Sequence, residues 1–175
     1  MIIVRVLMVM VAAIFTATIA FAESNTAPSS APTSLSETYE DWTLACSTRS
    51  DKRICSTFQR QARKGGQMVL AIELTPGANK SVTGTLILPF GLDLDKGVAF
   101  AVDDTAPGKP SRFATCLPVG CLVSLSFTDK AAVALRSGKA FKITVHAYEG
   151  GPEIPLSVSL KGLGNALDRI VTLSN

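Results

Sequence analysis

Met68-Val69-Leu70-Ala71-Ile72-Glu73-Leu74 decides the fold: Met68, Leu70, Ile72 and Leu74 take every second position, with Val69, Ala71 and Glu73 between them. Alternate residues of an extended chain point to opposite faces, so the stretch reads as a strand with one face on a core and one in water. Turn formers bracket it, Gly65-Gly66 before and Pro76-Gly77 after. The same period recurs at Trp42/Leu44/Cys46, Val98/Phe100/Val102, Cys121/Val123/Leu125/Phe127, Phe141/Ile143/Val145 and Leu156/Val158/Leu160, and further turns are marked by Pro107-Gly108 and Gly150-Gly151-Pro152. Short alternating runs at this spacing predict an all-β fold, mainly an antiparallel β-sandwich. Two segments break the period. Residues 129–137 (DKAAVALRS) follow a capping candidate, Thr128 or Asp129, and stop at Gly138, which predicts a short helix. Residues 163–173 place Leu163, Leu167 and Ile170 on one stripe, as expected of a second helix covering an open end of the sandwich.

Outward from this region, the amino terminus sets the compartment. Arg5 precedes an apolar run from Val6 to Ile19, and Ala20-Phe21-Ala22 supplies the small residues of a cleavage site. Residues 1–22 are therefore expected to be a secretory signal peptide, the alternative being an uncleaved anchor of marginal length. Residues 23–40 begin as a Ser/Thr/Pro/Ala-rich run whose one large apolar residue up to Thr38 is Leu35, and are expected to form a flexible linker. That leaves residues 41–175 as one domain, with no transmembrane segment after cleavage.

Beyond the signal, 16 Lys and Arg face 14 Asp and Glu, too small an excess for a nucleic-acid binder. The four cysteines, Cys46, Cys55, Cys116 and Cys121, form an even set in an exported chain, so disulfides are expected. Three pairings are open. Turn-rich intervals between neighbours favour Cys46 with Cys55 and Cys116 with Cys121. Their spacings match neither paired zinc knuckles nor a C-x-x-C redox motif.

Asp41-Trp42 with Cys46, Cys55 and Gln59, then Leu88-Pro89-Phe90-Gly91, Val102-Asp103, the Cys116-Leu117-Pro118-Val119-Gly120-Cys121 loop and the Leu156-Ser157-Val158-Ser159-Leu160-Lys161-Gly162-Leu163 ending, resemble the invasion-associated locus B family of bacterial secreted proteins. The resemblance extends over residues 41–170. It implies an exported, disulfide-containing β-rich domain in the periplasm or at the outer surface of a Gram-negative-type bacterium, tied in some members to host-cell entry. It carries over Cys46, Cys55, Cys116, Cys121, Gly91, Gly120 and Gly162 as structural residues, and nothing catalytic.

Candidates for chemistry are sparse. The single histidine, His146, falls on the polar face of its strand with Lys142, Thr144 and Tyr148, and is expected to face solvent. Asp93, Asp95, Asp103 and Asp104 are the densest carboxylates; an EF-hand frame from Asp93 fails at Gly97 and Val98, and turn geometry accounts for aspartates there. No nucleophile elbow, phosphate loop or histidine pair occurs, so the chain is expected to be no enzyme and to carry no cofactor or metal, a glycan hydrolase built on the clustered aspartates being the remote alternative. The strongest charge asymmetry is residues 49–64, where Arg49, Lys52, Arg53, Arg60, Arg63 and Lys64 face Asp51 alone. Read as one basic hairpin, it is either a solvated loop with positive tips, as surface charge runs commonly are, or the candidate surface for an anionic envelope or host-surface ligand such as lipopolysaccharide or an anionic glycan. A binding or interaction module of the cell envelope is the resulting expectation, with a structural or accessory envelope factor as the alternative.

Overall fold

The computed structural model describes residues 34–50 and 52–174. The expected signal peptide, residues 1–22, and residues 23–33 of the expected linker lie outside them. Ten strands and two helices follow in the order β1 (Ser34–Tyr39), β2 (Trp42–Arg49), β3 (Lys52–Ala62), β4 (Met68–Pro76), β5 (Val82–Leu88), β6 (Ala99–Val102), β7 (Thr115–Leu117), β8 (Gly120–Phe127), α1 (Asp129–Ser137), β9 (Ala140–His146), β10 (Glu153–Ser159) and α2 (Leu163–Ser174). A seven-stranded sheet, β1-β2-β3-β4-β5-β8-β7, faces a three-stranded sheet, β10-β9-β6. Every pairing between strands is antiparallel. The all-β sandwich expected from the alternation is the fold observed.

Period two works as the pattern predicts. In β4, Leu70, Ile72 and Leu74 are buried while Glu73 is exposed; in β9, Phe141, Ile143 and Val145 are buried while Lys142 is exposed. Burying such side chains stabilises by roughly 1.5–3 kcal/mol each. The central core joins these residues to Trp42, Leu86, Leu88, Val123 and Val158, with Leu163, Ala166 and Leu167 of α2 closing it. A smaller cluster gathers Leu44 and the half-cystines Cys46 and Cys55 under Ile170. α1 has the cap its sequence announces: the Thr128 hydroxyl accepts the Ala131 N–H, and the Gly138 N–H donates to the Ala134 carbonyl.

The sandwich is tied shut along β10 by side chains from the larger sheet. The Trp42 indole N–H donates to the Ser159 carbonyl at 2.8 Å, the Gln59 amide to the same carbonyl at 3.3 Å, and the Gln61 amide to the Ser157 carbonyl at 2.8 Å. These bonds occupy carbonyls at the edge of the smaller sheet, which would otherwise lack partners. Gly162, at φ +84°, brings the chain from β10 into α2 against the Tyr39 carbonyl, where a Cβ would collide with backbone.

The boundary at Asp41 is corrected. Residues 34–39, expected within the linker, form β1, paired in register from Ser34 opposite Ser47 to Tyr39 opposite Trp42. Leu35 and Tyr39 pack on the cluster under α2. Between them Glu37 accepts three hydrogen bonds from the Arg169 side chain of α2, at 2.9, 3.0 and 3.3 Å, and one from the Tyr39 hydroxyl at 2.7 Å. A strand this polar forms because a helix 130 residues later supplies both its apolar cover and its counter-charge.

Candidate functional site

The six basic residues of 49–64 do not form one hairpin. β3 runs straight through the segment, and the tight turns lie at its two ends. Arg49, Lys52 and Arg53 sit at the β2–β3 end, where Arg49 pairs with Lys52 and Thr48 with Arg53. Arg60, Arg63 and Lys64 sit at the β3–β4 end. Lys52 and Arg60 are eight residues apart on an extended strand, or roughly 27 Å at about 3.4 Å per residue. The sequence reading overlooked this because a run of charges carries no mark of whether the backbone folds back within it.

At the β3–β4 end the turn is closed by Arg63 and Gln67 (Arg63 N–H to Gln67 carbonyl, 2.9 Å) and by Gly66 N–H to the Arg63 carbonyl, 3.0 Å. Gly65 and Gly66 both take positive φ, +104° and +85°, which glycine alone adopts readily. Arg60 lies over the Phe58 ring, its guanidinium carbon 4.8 Å from the centroid. Among the described residues, Arg60, Arg63 and Lys64 form no ion pair with a carboxylate.

Beside this turn the two sheets splay apart and leave a groove of about 220 Å³. Arg63 and Gln67 stand on one side; Met68, Phe90, Leu92, Val145, Ile154 and Leu156 supply much of its apolar lining. Phe90 is 61% exposed, a large aromatic held out between Pro89 and Gly91 at the end of β5. Sequence reasoning did not connect Phe90 with Arg63. The available signal was an aromatic in the P-F-G turn, where nothing in the strand pattern calls for one. A larger hollow of about 630 Å³ lies at the far end, between the helices and the β4–β5 turn, but its Arg136 and Asp168 already neutralise one another at 2.5 Å.

The four aspartates occupy two separate turns. Asp93 accepts the N–H groups of Asp95 and Lys96 at 3.2 and 3.4 Å in the loop before β6. Asp103, beyond the other end of β6, accepts the N–H groups of Lys139 and Ala140, both at 2.9 Å, and Asp104 pairs with Lys142 at 2.8 Å. That lysine, by hydrogen bond and charge, holds the Asp104 carboxyl below its ordinary range. Asp93 and Asp103 thus serve turn geometry, and no cleft among the described residues gathers the four. Among the described residues no group of three or more His, Cys, Asp or Glu side chains is placed to hold a metal ion. His146 is less open than its strand pattern predicts: its side chain is 26% exposed, because Glu153 of β10 lies directly across from it, with Nε2 4.0 Å from the carboxylate.

Both disulfides close across neighbouring strands. Cys46 faces Cys55 in the β2–β3 register, and Cys116 faces Cys121 across the β7–β8 hairpin. The first is buried beneath α2; the second is half-buried, with Cys116 at the surface and Cys121 buried.

These features define a class: a small β-sandwich pinned by two local disulfides, with both helices packed on its core. The chain belongs to the invasion-associated locus B family, whose model, described as invasion associated locus B (IalB) protein, matches residues 42–171. It is 45% identical over 141 residues to an invasion protein B homolog of Brucella abortus (strain 2308), covering 80% of this chain and 81% of that one. It is 32% identical over 142 residues to invasion protein B of Bartonella bacilliformis, covering 80% and 76%. The crystal structure of invasion associated protein B from Bartonella henselae superposes with a TM-score of 0.74 at 32% identity, over 79% of this chain and 96% of that one. The disulfides and this membership mark an extracytoplasmic protein.

Proposed function

We propose that the protein is exported after cleavage following Ala22 and acts in the periplasm or at the outer surface as a binding module, recognising an anionic ligand of the envelope or of a host surface. The observation that carries this reading is the β3–β4 end, where Arg60 lies near the end of β3, Arg63 and Lys64 stand on the turn beside the groove that Arg63 lines, and no described carboxylate is paired to them. Arg63 and Lys64 on an exposed, glycine-built turn, with Arg60 near the end of the preceding strand, attract an anion without first breaking an internal ion pair. The invasion protein names of the relatives support contact with another cell as the setting. The set Arg49, Lys52 and Arg53, at the other end of β3, is peripheral to this site.

Binding to purified lipopolysaccharide tests the reading. Affinity should fall steeply as salt rises past ~0.15 M, where charges are screened over about 8 Å. Replacing Arg60, Arg63 and Lys64 together by Gln should abolish most binding, whereas replacing Arg49, Lys52 and Arg53 by Gln should leave it largely intact. Binding insensitive to salt, or lost equally from either triple, would refute the assignment.

A further inference from the structure

The groove beside Arg63 narrows the chemistry of the ligand. We infer that it holds an alkyl chain whose phosphate head pairs with Arg63 and Lys64, so that the anion recognised at this end is a phosphate-bearing amphiphile. The inference rests on the proposed anion-binding role of the β3–β4 turn and names the ligand class for that site.

Three observations support it. The groove combines apolar side chains, among them Met68, Phe90, Leu92, Val145, Ile154 and Leu156, with a substantial polar share to which Arg63 and Gln67 contribute. A slot for a plain apolar molecule has no use for the Arg63 charge, and a lining with one side-chain amide, that of Gln67, and no side-chain hydroxyl offers a sugar few partners. Second, its volume of about 220 Å³ falls below the range of roughly 300–1,000 Å³ of sites that enclose a whole ligand. At about 30 Å³ per water-sized group it admits roughly seven such groups, enough for one short run of methylenes while the head stays outside. Third, Phe90 is 61% exposed, and Gly91 beside it, at φ +86°, has nothing within 4 Å of where a Cβ would lie. An aromatic left in water at the edge of an apolar slot gains from a chain laid against it. Charge complementarity then favours phosphate, since the fork of Arg63 and the adjacent Lys64 match a multiply charged oxyanion.

The test is calorimetric titration of the purified disulfide-bonded protein with butyl, hexyl, octyl and decyl phosphate, each below its micelle concentration. Affinity should rise roughly fourfold per methylene from butyl to octyl, because each methylene withdrawn from water contributes a factor of about that size. It should level off between octyl and decyl, once the groove is filled. Phe90→Asp, at an exposed position that leaves the fold intact, should abolish the dependence on chain length. Arg63→Gln should weaken every homologue by a similar factor, and Val133→Asp, in the hollow at the other end, should change nothing. Affinity indifferent to chain length, or a dependence that survives Phe90→Asp or disappears with Val133→Asp, would overturn the inference. Dextran sulfate separates the two levels of the argument. If it binds through Arg60, Arg63 and Lys64 while alkyl phosphates show no gain with length, the groove is refuted and the anion-binding turn stands; if neither probe binds, both fall.

Discussion

Removing the two disulfides one at a time should have unequal effects, although their loops are similarly short. The half-cystines are nine residues apart in the Cys46–Cys55 bridge and five apart in the Cys116–Cys121 bridge. Loop-closure entropy alone assigns them about 2.7 and about 2.2 kcal/mol at 25 °C, a difference too small to resolve easily. Packing under α2 separates them. Cys46 and Cys55 are 5% and 6% exposed and touch Leu44 and Ile170, so cutting both back to Ala also opens space under α2, for a further ~1–2 kcal/mol. Cys116 is exposed, and Cys121, although only 3% exposed, belongs to neither apolar cluster, so this pair should stay close to the entropic figure. Cys46→Ala/Cys55→Ala should therefore cost about 4 kcal/mol and Cys116→Ala/Cys121→Ala about 2 kcal/mol. Urea unfolding followed by circular dichroism measures both, and melting temperatures should fall by roughly 3 °C per kcal/mol for a domain of this size. Equal losses, or a greater loss from the Cys116–Cys121 bridge, would show that packing beneath α2 does not support the Cys46–Cys55 bridge.

Other expectations follow from single contacts. Gln61→Ala should cost about 1 kcal/mol and, because it releases the Ser157 carbonyl, speed amide hydrogen exchange in β10 more than elsewhere. Arg169, donating to both carboxylate oxygens, and then the Tyr39 hydroxyl hold Glu37 in the folded state below its ordinary 4.5. That contribution is complete above pH about 4.5 and is lost as pH falls through the lower folded value, so the stability gap between wild type and Glu37→Gln should narrow on acidification; a gap constant from pH 7 to pH 3 would contradict the ion pair. His146→Ala should change stability by less than about 1 kcal/mol and leave lipopolysaccharide binding unchanged, since the partly buried ring lies opposite Glu153 and is not among the residues that line the groove; a loss of binding with the fold intact would place the histidine in the site.

The sequence by itself determined which residues face the core and how neighbouring strands turn. Leu70, Ile72 and Leu74 are buried in β4 because side chains of an extended chain alternate by geometry, whatever the chain then packs against. α1 begins at its Thr128 cap and ends at Gly138 because backbone groups at helix ends must be satisfied locally. Cysteines near one another in sequence, across turn formers, bridge across hairpins for the same local reason. Tertiary structure decided the rest. Residues 34–39 carry too few apolar groups to be a strand alone, and become β1 only because Ile170, Leu173 and Arg169 of α2 cover them. The basic run 49–64 is divided between two ends of the molecule because β3 stays extended for eleven residues, a length set by pairing to both β2 and β4. The groove exists only where β4, the 89–92 loop, β9 and β10 meet at a gap between the sheets. Its residues are separated by up to 93 positions, Arg63 to Leu156, and no local pattern records which distant side chains will share a cavity, since that depends on how two sheets pack.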